Sequence, residues 1–132
     1  MAQKINGLNC VLLVDDEAIV RNAGRRILTR FGCEVLLAED GEEALEVYRE
    51  AASKIDVVIL DLTMPVMDGN ACLEKLKQIN PSVRVVLSSG AMESADPDLA
   101  GTIGASGILP KPYDLQQLVN VFERIFPPST TH

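Results

Sequence analysis

The sequence predicts an α/β protein built on a single doubly wound, five-stranded parallel sheet with helices on both faces. Short apolar runs alternate with longer amphipathic stretches five times along the chain, which is the pattern of repeated βα units. Most of the runs are continuous rather than alternating, as in strands buried on both faces beneath helices. The 132 residues, 47% hydrophobic and 23% charged, give room for one domain with a real core and not for two.

The expected strands are Cys10 to Val14, Val35 to Ala38, Val57 to Leu60, Val83 to Leu87 (interrupted by Arg84) and the short pair Ile108-Leu109. Helical stripes lie between them. In the first, Val20, Ala23, Ile27, Leu28 and Phe31 share one face, while Arg21, Arg25, Arg26 and Arg30 fall largely on a solvated one. The second holds Ala44, Leu45, Tyr48 and Ala51, and the third Cys72, Leu73, Leu76 and Ile79. The last holds Leu115, Leu118, Val119, Phe122, Ile125 and Phe126. Between Ser94 and Gly104, Asp96-Pro97 starts a short, mobile fourth helix that Gly101 and Gly104 each weaken by about 1 kcal/mol relative to Ala. Pro127-Pro128 ends the last helix, so the domain is read as residues 1–126, with 127–132 as a tail or the start of a linker. Right-handed crossovers with short connections leave few topologies, and the expected strand order is 2-1-3-4-5.

Composition removes several function classes. Lys and Arg number 12 against 19 Asp and Glu, and the formal charge of −7 opposes non-specific attraction to nucleic acid or anionic lipid. No apolar run approaches the ~20 residues that span a bilayer, and the start Met1-Ala2-Gln3-Lys4 leads into no signal-peptide core, so the expected compartment is the cytoplasm. Cys10, Cys33 and Cys72 are widely spaced and read as reduced, mostly buried thiols rather than zinc ligands or a redox pair. With no Trp, two Tyr and three Phe, the chain lacks the flat aromatic surfaces that stack bases or a flavin.

In open α/β sheets ligands bind beyond the carboxyl ends of the strands, so the residues that follow each apolar run carry the chemistry. The first run is followed by Asp15-Asp16-Glu17, the third by Asp61, the fourth by Ser88-Ser89-Gly90, and the fifth, one proline later, by Lys111-Pro112. If the first and third strands are neighbours, three ionised carboxylates crowd one edge and repel unless a cation intervenes. Their oxygens, a backbone carbonyl and retained waters suit Mg²⁺. Ser89 adds a hydroxyl and Lys111 an ammonium, and metal, hydroxyl and ammonium together can neutralise the three equatorial oxygens of a phosphoryl group in transfer. Asp61, central between the acid pair and the Ser89–Lys111 side, is the expected nucleophile. Singly, Asp16 reads as a helix cap, Asp61 as a turn residue, Ser89 as a turn hydroxyl and Lys111 as a solvated charge. Four such residues at neighbouring strand ends point to a site.

The set Val14-Asp15-Asp16-Glu17, Leu60-Asp61-Leu62-Thr63-Met64-Pro65 with Asp68-Gly69, Ser89-Gly90 and Lys111-Pro112 resembles the receiver domain of two-component response regulators, from about Asn9 to Phe126. The resemblance implies the flavodoxin-like form of the 2-1-3-4-5 sheet. It also implies that Asp61 accepts a phosphoryl group from a phosphohistidine of a sensor histidine kinase or a histidine phosphotransfer domain. Asp16, Asp61 and the Thr63 backbone carbonyl would hold Mg²⁺, with Asp15 acting through water. Ser89 would hydrogen-bond the phosphoryl oxygen and Lys111 would pair with it, across a cis peptide to Pro112. Phosphodonors of this family dock on the first helix and the loop after Lys111. The wording around Leu62-Thr63-Met64-Pro65, Leu87-Ser88-Ser89-Gly90 and Lys111-Pro112-Tyr113 is similar to receivers attached to hybrid histidine kinases.

One departure stands out. Three residues before the lysine the family usually has Tyr or Phe, and this chain has Ile108. An aromatic rotamer switch cannot operate there, which leaves backbone and loop shifts as the output route on that face. In receivers of this family phosphate lifetime is tuned by residues near the site, and the resemblance implies that Thr63 and Ala91 would take that part here. Two rival readings are a pseudo-receiver that binds partners constitutively and a phosphatase resembling the haloacid dehalogenase group. The second is the weaker: such enzymes need an Asp two residues after the nucleophile, where this chain has Thr63, and a cap domain for which there is no room. The expected protein is a signalling domain that catalyses its own phosphorylation and dephosphorylation, not a turnover enzyme.

Overall fold

Val11 to Val14 are all buried, each with 1% or less of its surface exposed, because their strand pairs on both edges and is covered on both faces. A computed structural model describes residues 5–62, 67, 69–89 and 105–127, with the Ser89 side chain outside that set. Its elements are β1 (Cys10–Val14), α1 (Ala18–Thr29), β2 (Glu34–Ala38), α2 (Gly41–Ala51), β3 (Val57–Asp61), α3 (Gly69–Ile79), β4 (Val85–Ser89), β5 (Gly107–Pro110) and α4 (Leu115–Ile125). All strand pairs are parallel and the order is β2-β1-β3-β4-β5, the doubly wound topology the sequence predicts. The expected helix between Ser94 and Gly104 lies outside the described residues, as do Thr63, Ala91, and the tail from Pro128 onward.

Alternation along each strand divides the interior into two cores. Leu12, Val14, Val58 and Leu60 pack with Leu45 and Tyr48 of α2 and Leu73 and Leu76 of α3. Val11, Leu13, Val57 and Ile59 pack on the other face with Leu28, Phe31, Leu118 and Phe122. Phe31 and Phe122 meet edge to face, ring centres 5.1 Å apart, joining α4 to the end of α1. Local chemistry fixes the helix starts. Asp40 accepts from the Glu43 amide while Glu43 accepts from the Glu39 amide, and Asp114 and Gln117 form the reciprocal pair at α4. Among the described residues no helix is long and apolar enough to cross a membrane.

Three expectations about individual elements need correction. The fourth strand starts at Val85, not Val83, and runs on through Ser89. The Val83 amide instead closes the turn after α3 on the Asn80 carbonyl, and Ser88 pairs in register with Asp61 inside the sheet. On α1 Ala23 is exposed and Gly24 is buried, so the packed face is turned from the apolar stripe. Tertiary contact decides this: Leu13 and Tyr113 press against Gly24, which offers no side chain for a hydrophobic pattern to register. On β2, Val35, Leu36 and Leu37 are only half-buried, because this strand forms one edge of the sheet. The opposite edge is β5, where Pro110 is tolerated because an edge strand needs no hydrogen bond on its outer side.

Candidate functional site

Val14 and Leu60 are register partners on adjacent parallel strands, so Asp15 and Asp61, each one residue further on, stand side by side. Asp15 is 1% exposed and Asp61 2%, whereas Asp16 faces solvent. Carboxylate oxygens of Asp15, Asp16 and Asp61 all lie within 4.8 Å of one another. Asp15 is held by its backbone as well as its carboxylate: its amide donates to the Ala38 carbonyl at 3.1 Å, and its Oδ1 accepts from the Glu17 amide at 2.9 Å. Asp16 does not cap α1. Glu17 is the N-cap residue, and it makes no side-chain capping bond.

Lys111 reaches this cluster from the far edge of the sheet. Its Nζ donates to Asp15 Oδ2 at 3.0 Å, Asp61 Oδ2 at 3.3 Å and Glu17 Oε1 at 3.4 Å, with only 11% of its side chain exposed. Burial alone would lower the lysine pKa, but the hydrogen bond and charge of Asp15, joined by Asp61, overcome it and hold the ammonium above the usual lysine range. The following peptide, Lys111-Pro112, is cis. Tyr113 then turns back against α1. Its hydroxyl is buried without a hydrogen-bond partner among the described residues, and burial, reinforced by the charge of Asp15, pushes its pKa up to about 12.

The structure thus brings together Asp15, Asp16, Asp61 and Lys111. Ser89 ends β4 opposite Pro110, one residue beyond the Ser88 that pairs with Asp61, and its hydroxyl lies outside the described atoms. Thr63 and Ala91 also lie outside the described residues. Ile108 of β5 pairs with Leu87 of β4 and is buried.

Four further residues shape the site without having been assigned a role from sequence. Glu17 is a third carboxylate on Lys111. The Arg21 guanidinium donates to the Asp15 carbonyl at 2.7 Å, tying α1 to the strand end. Gly69 donates its amide to the Leu62 carbonyl, and a Cβ there would meet the Leu62 Cα at 2.6 Å and the Asp61 carbonyl at 2.9 Å, so only glycine lets α3 start this close to Asp61. Tyr113 seats the loop that carries Lys111. Of these only Gly69 had a local signal, the Asp68-Gly69 pair.

Among the described residues the donor set of the cluster is carboxylate oxygen, and Cys72 is buried in the core with Leu12 and Val14. Hard oxygen donors of this kind fit a hard divalent cation such as Mg²⁺ and not a soft metal.

The family model of the response regulator receiver domain matches residues 11–123. The sensor kinase CckA of Brucella abortus is 36% identical over 124 residues, covering 94% of this chain and 13% of that protein. The chemotaxis protein CheY of Bacillus subtilis is 33% identical over 115 residues, covering 86% of this chain and 94% of that one. This chain therefore spans a small part of the kinase relative and nearly all of the chemotaxis relative. The crystal structure of the CheX–CheY–BeF3–Mg²⁺ complex from Borrelia burgdorferi superimposes with a TM-score of 0.81 at 31% identity, covering 92% of this chain and 97% of that one. With its strand order, its acidic cluster and its lysine in the places described, the chain belongs to the response regulator receiver domain family of two-component signalling.

Proposed function

We propose that Asp61 accepts a phosphoryl group from the phosphohistidine of a sensor histidine kinase or histidine phosphotransfer domain. The observation that carries this reading is the convergence of Asp15, Asp16 and Asp61 within 4.8 Å, with the Lys111 ammonium 3.3 Å from Asp61. A carboxylate oxygen of Asp61 attacks phosphorus; the O–P bond forms as the P–N bond breaks, and the electron pair returns to the imidazole, which takes a proton from solvent. Lys111 is held where it can follow the charge that develops on the phosphoryl oxygens, exchanging its contacts with Asp15 and Asp61 for them. Ser89 donates its hydroxyl to one of those oxygens. Asp16, Asp61 and the Thr63 carbonyl would hold Mg²⁺, with Asp15 acting through water, and the ion supplies further charge neutralisation there.

The donor docks on the apolar groove of about 450 Å³ between α1 and the loop Lys111-Pro112-Tyr113, whose near end opens beside Glu17 and Lys111. The domain acts on itself rather than turning over a substrate, and its place of action is the cytoplasm. Support from relatives comes from the Borrelia burgdorferi CheY, which was crystallised with BeF3 and Mg²⁺.

The test is intact mass after incubation with phosphoramidate, with and without Mg²⁺, on the wild type and Asp61→Asn. One Mg²⁺-dependent phosphoryl adduct, absent from a folded Asp61→Asn, is expected. An adduct that persists in the variant moves the acceptor elsewhere. A wild type that takes no adduct and binds no Mg²⁺ with beryllofluoride is a constitutive interaction module instead.

A further inference from the structure

Glu17 occupies the N-cap of α1, where a short polar side chain usually accepts from an amide of the first turn. Its carboxylate makes no such bond. Arg21 stands four residues further along, the spacing at which glutamate and arginine on one helix face usually pair. The two form no ion pair, because the Arg21 guanidinium is engaged on the Asp15 carbonyl at 2.7 Å. Among the described residues the one side-chain partner of Glu17 is the Lys111 ammonium, at 3.4 Å. The helix dipole favours a negative charge at this end of α1, but it acts on any carboxylate there and does not draw one toward a lysine that follows β5.

The backbone sets up this contact. The Glu17 amide donates to Asp15 Oδ1 at 2.9 Å, so the residue is anchored to the acidic cluster while its side chain, 63% exposed, reaches outward. Asp15 and Asp61, which share the same ammonium, are almost wholly buried. Of the three carboxylates on Lys111, Glu17 is the one whose loss leaves no buried carboxylate without its lysine. A structural role is therefore poorly served by it: the residue makes neither the cap nor the helical ion pair open to it, and its carboxylate goes to the lysine instead.

Resting on the phosphoacceptor reading above, we infer that Glu17 is a positioning residue that competes with the phosphoryl group for Lys111. To reach a phosphoryl oxygen the ammonium has to leave Glu17 as well as its two buried partners. The Glu17 carboxylate then faces a second anion with no cation between them, which repels it. Both effects act in one direction, and Glu17 favours unmodified Asp61 over phosphorylated Asp61. Its charge also attracts a divalent cation to the cluster, so toward Mg²⁺ its effect is the opposite one.

Calorimetric titration of the whole domain tests this. Beryllofluoride, an analogue of the phosphoryl group, is titrated at saturating Mg²⁺, and Mg²⁺ is titrated alone, on the wild type, Glu17→Gln and Glu17→Asp, with urea midpoints to verify that all three are folded. Glu17→Gln is expected to bind beryllofluoride about two- to fivefold more tightly and Mg²⁺ about two- to threefold more weakly, the range for an exposed charge contact. Glu17→Asp keeps the charge but is one methylene shorter and suits the N-cap, where its carboxylate turns to the first-turn amides and away from Lys111. It is expected to gain most of the beryllofluoride affinity while keeping the wild-type affinity for Mg²⁺. A general loosening of the site weakens both ligands and does not produce this split. Unchanged or weaker beryllofluoride binding by Glu17→Gln, or a Glu17→Asp protein that matches the wild type, overturns the inference and leaves the acceptor reading standing where phosphoramidate labels the wild type. A wild type that binds no beryllofluoride and takes no phosphoramidate label overturns the acceptor reading itself.

Discussion

Gly24 of α1 and the hydroxyl of Tyr113 lie so close that a Cβ on residue 24 would stand 2.6 Å from the hydroxyl oxygen and 2.9 Å from Leu13 Cδ2. A glycine inside a helix costs about 1 kcal/mol relative to alanine. Here the missing methyl is the space that the tyrosine ring fills, and through that ring α1 supports the loop carrying Lys111. Gly24→Ala is therefore expected to lower stability by about 1 kcal/mol despite its better helix propensity, because the overlap costs about 1–3 kcal/mol. Tyr113→Phe removes a buried hydroxyl that has no partner among the described residues and frees that space. It is expected to be neutral or stabilising alone and to recover part of the loss in the double variant. Urea denaturation of the four proteins checks this; a Gly24→Ala protein more stable than the wild type refutes it.

At Gly69 the same argument is stricter. A Cβ there would meet backbone, the Leu62 Cα at 2.6 Å and the Asp61 carbonyl at 2.9 Å, and backbone cannot swing aside as a ring or a leucine methyl can. Gly69→Ala is expected to cost about 3 kcal/mol, the upper end of the overpacking range. Because the displaced atoms belong to Asp61 and its neighbour, phosphoramidate labelling is expected to slow in whatever fraction stays folded. A Gly69→Ala protein with wild-type stability and labelling would contradict the packing described.

Lys111 offsets the charge of two carboxylates that are almost wholly buried, Asp15 and Asp61. Lys111→Met leaves them facing each other with no ammonium between them, and removing one partner of a buried ion pair typically costs about 3–5 kcal/mol. Mg²⁺ can replace the lost positive charge. Saturating Mg²⁺ is thus expected to raise the unfolding temperature of Lys111→Met by more than that of the wild type. Equal shifts would mean that the lysine does not govern the charge of the cluster.

The strand ends were legible because they depend on two things a sequence displays, apolar runs and the polar residues that stop them. Asp15, Asp16, Asp61 and Lys111 were found that way. The fourth strand was misplaced by two residues because Val83 is apolar but serves a turn, while Ser88 is polar yet buried in register with Asp61. The packed face of α1 was misjudged for a related reason. Gly24 contributes nothing to a hydrophobic stripe, and what selects it is a tyrosine 89 residues away. Glu17 and Arg21 escaped as well: a charge beside a helix start looks solvated until the lysine or carbonyl it meets is placed.

The buried thiols give the fold a pH dependence on the alkaline side. Burial, with a smaller contribution from the charge of Asp40, pushes the Cys72 pKa up from 9.0 to about 11, and burial moves Cys10 and Cys33 upward too. In the unfolded chain each thiol loses its proton near its ordinary value, while in the folded chain it keeps it. Above pH 9 the unfolded state therefore binds fewer protons than the folded one, and stability falls as pH rises. For Cys72 the loss reaches about 2–3 kcal/mol by pH 11, since each tenfold difference in proton affinity between the two states is worth about 1.4 kcal/mol. Tyr113, raised from 10.0 to about 12, and Lys111, raised from 10.5, act in the same direction at the upper end of this window. Urea midpoints are expected to be level from pH 7 to 8.5 and to drop steadily from pH 9 to 11, with a shallower drop in Cys72→Ala. Midpoints that stay level to pH 11, or a Cys72→Ala slope equal to that of the wild type, would show that the thiol is not held protonated by its burial.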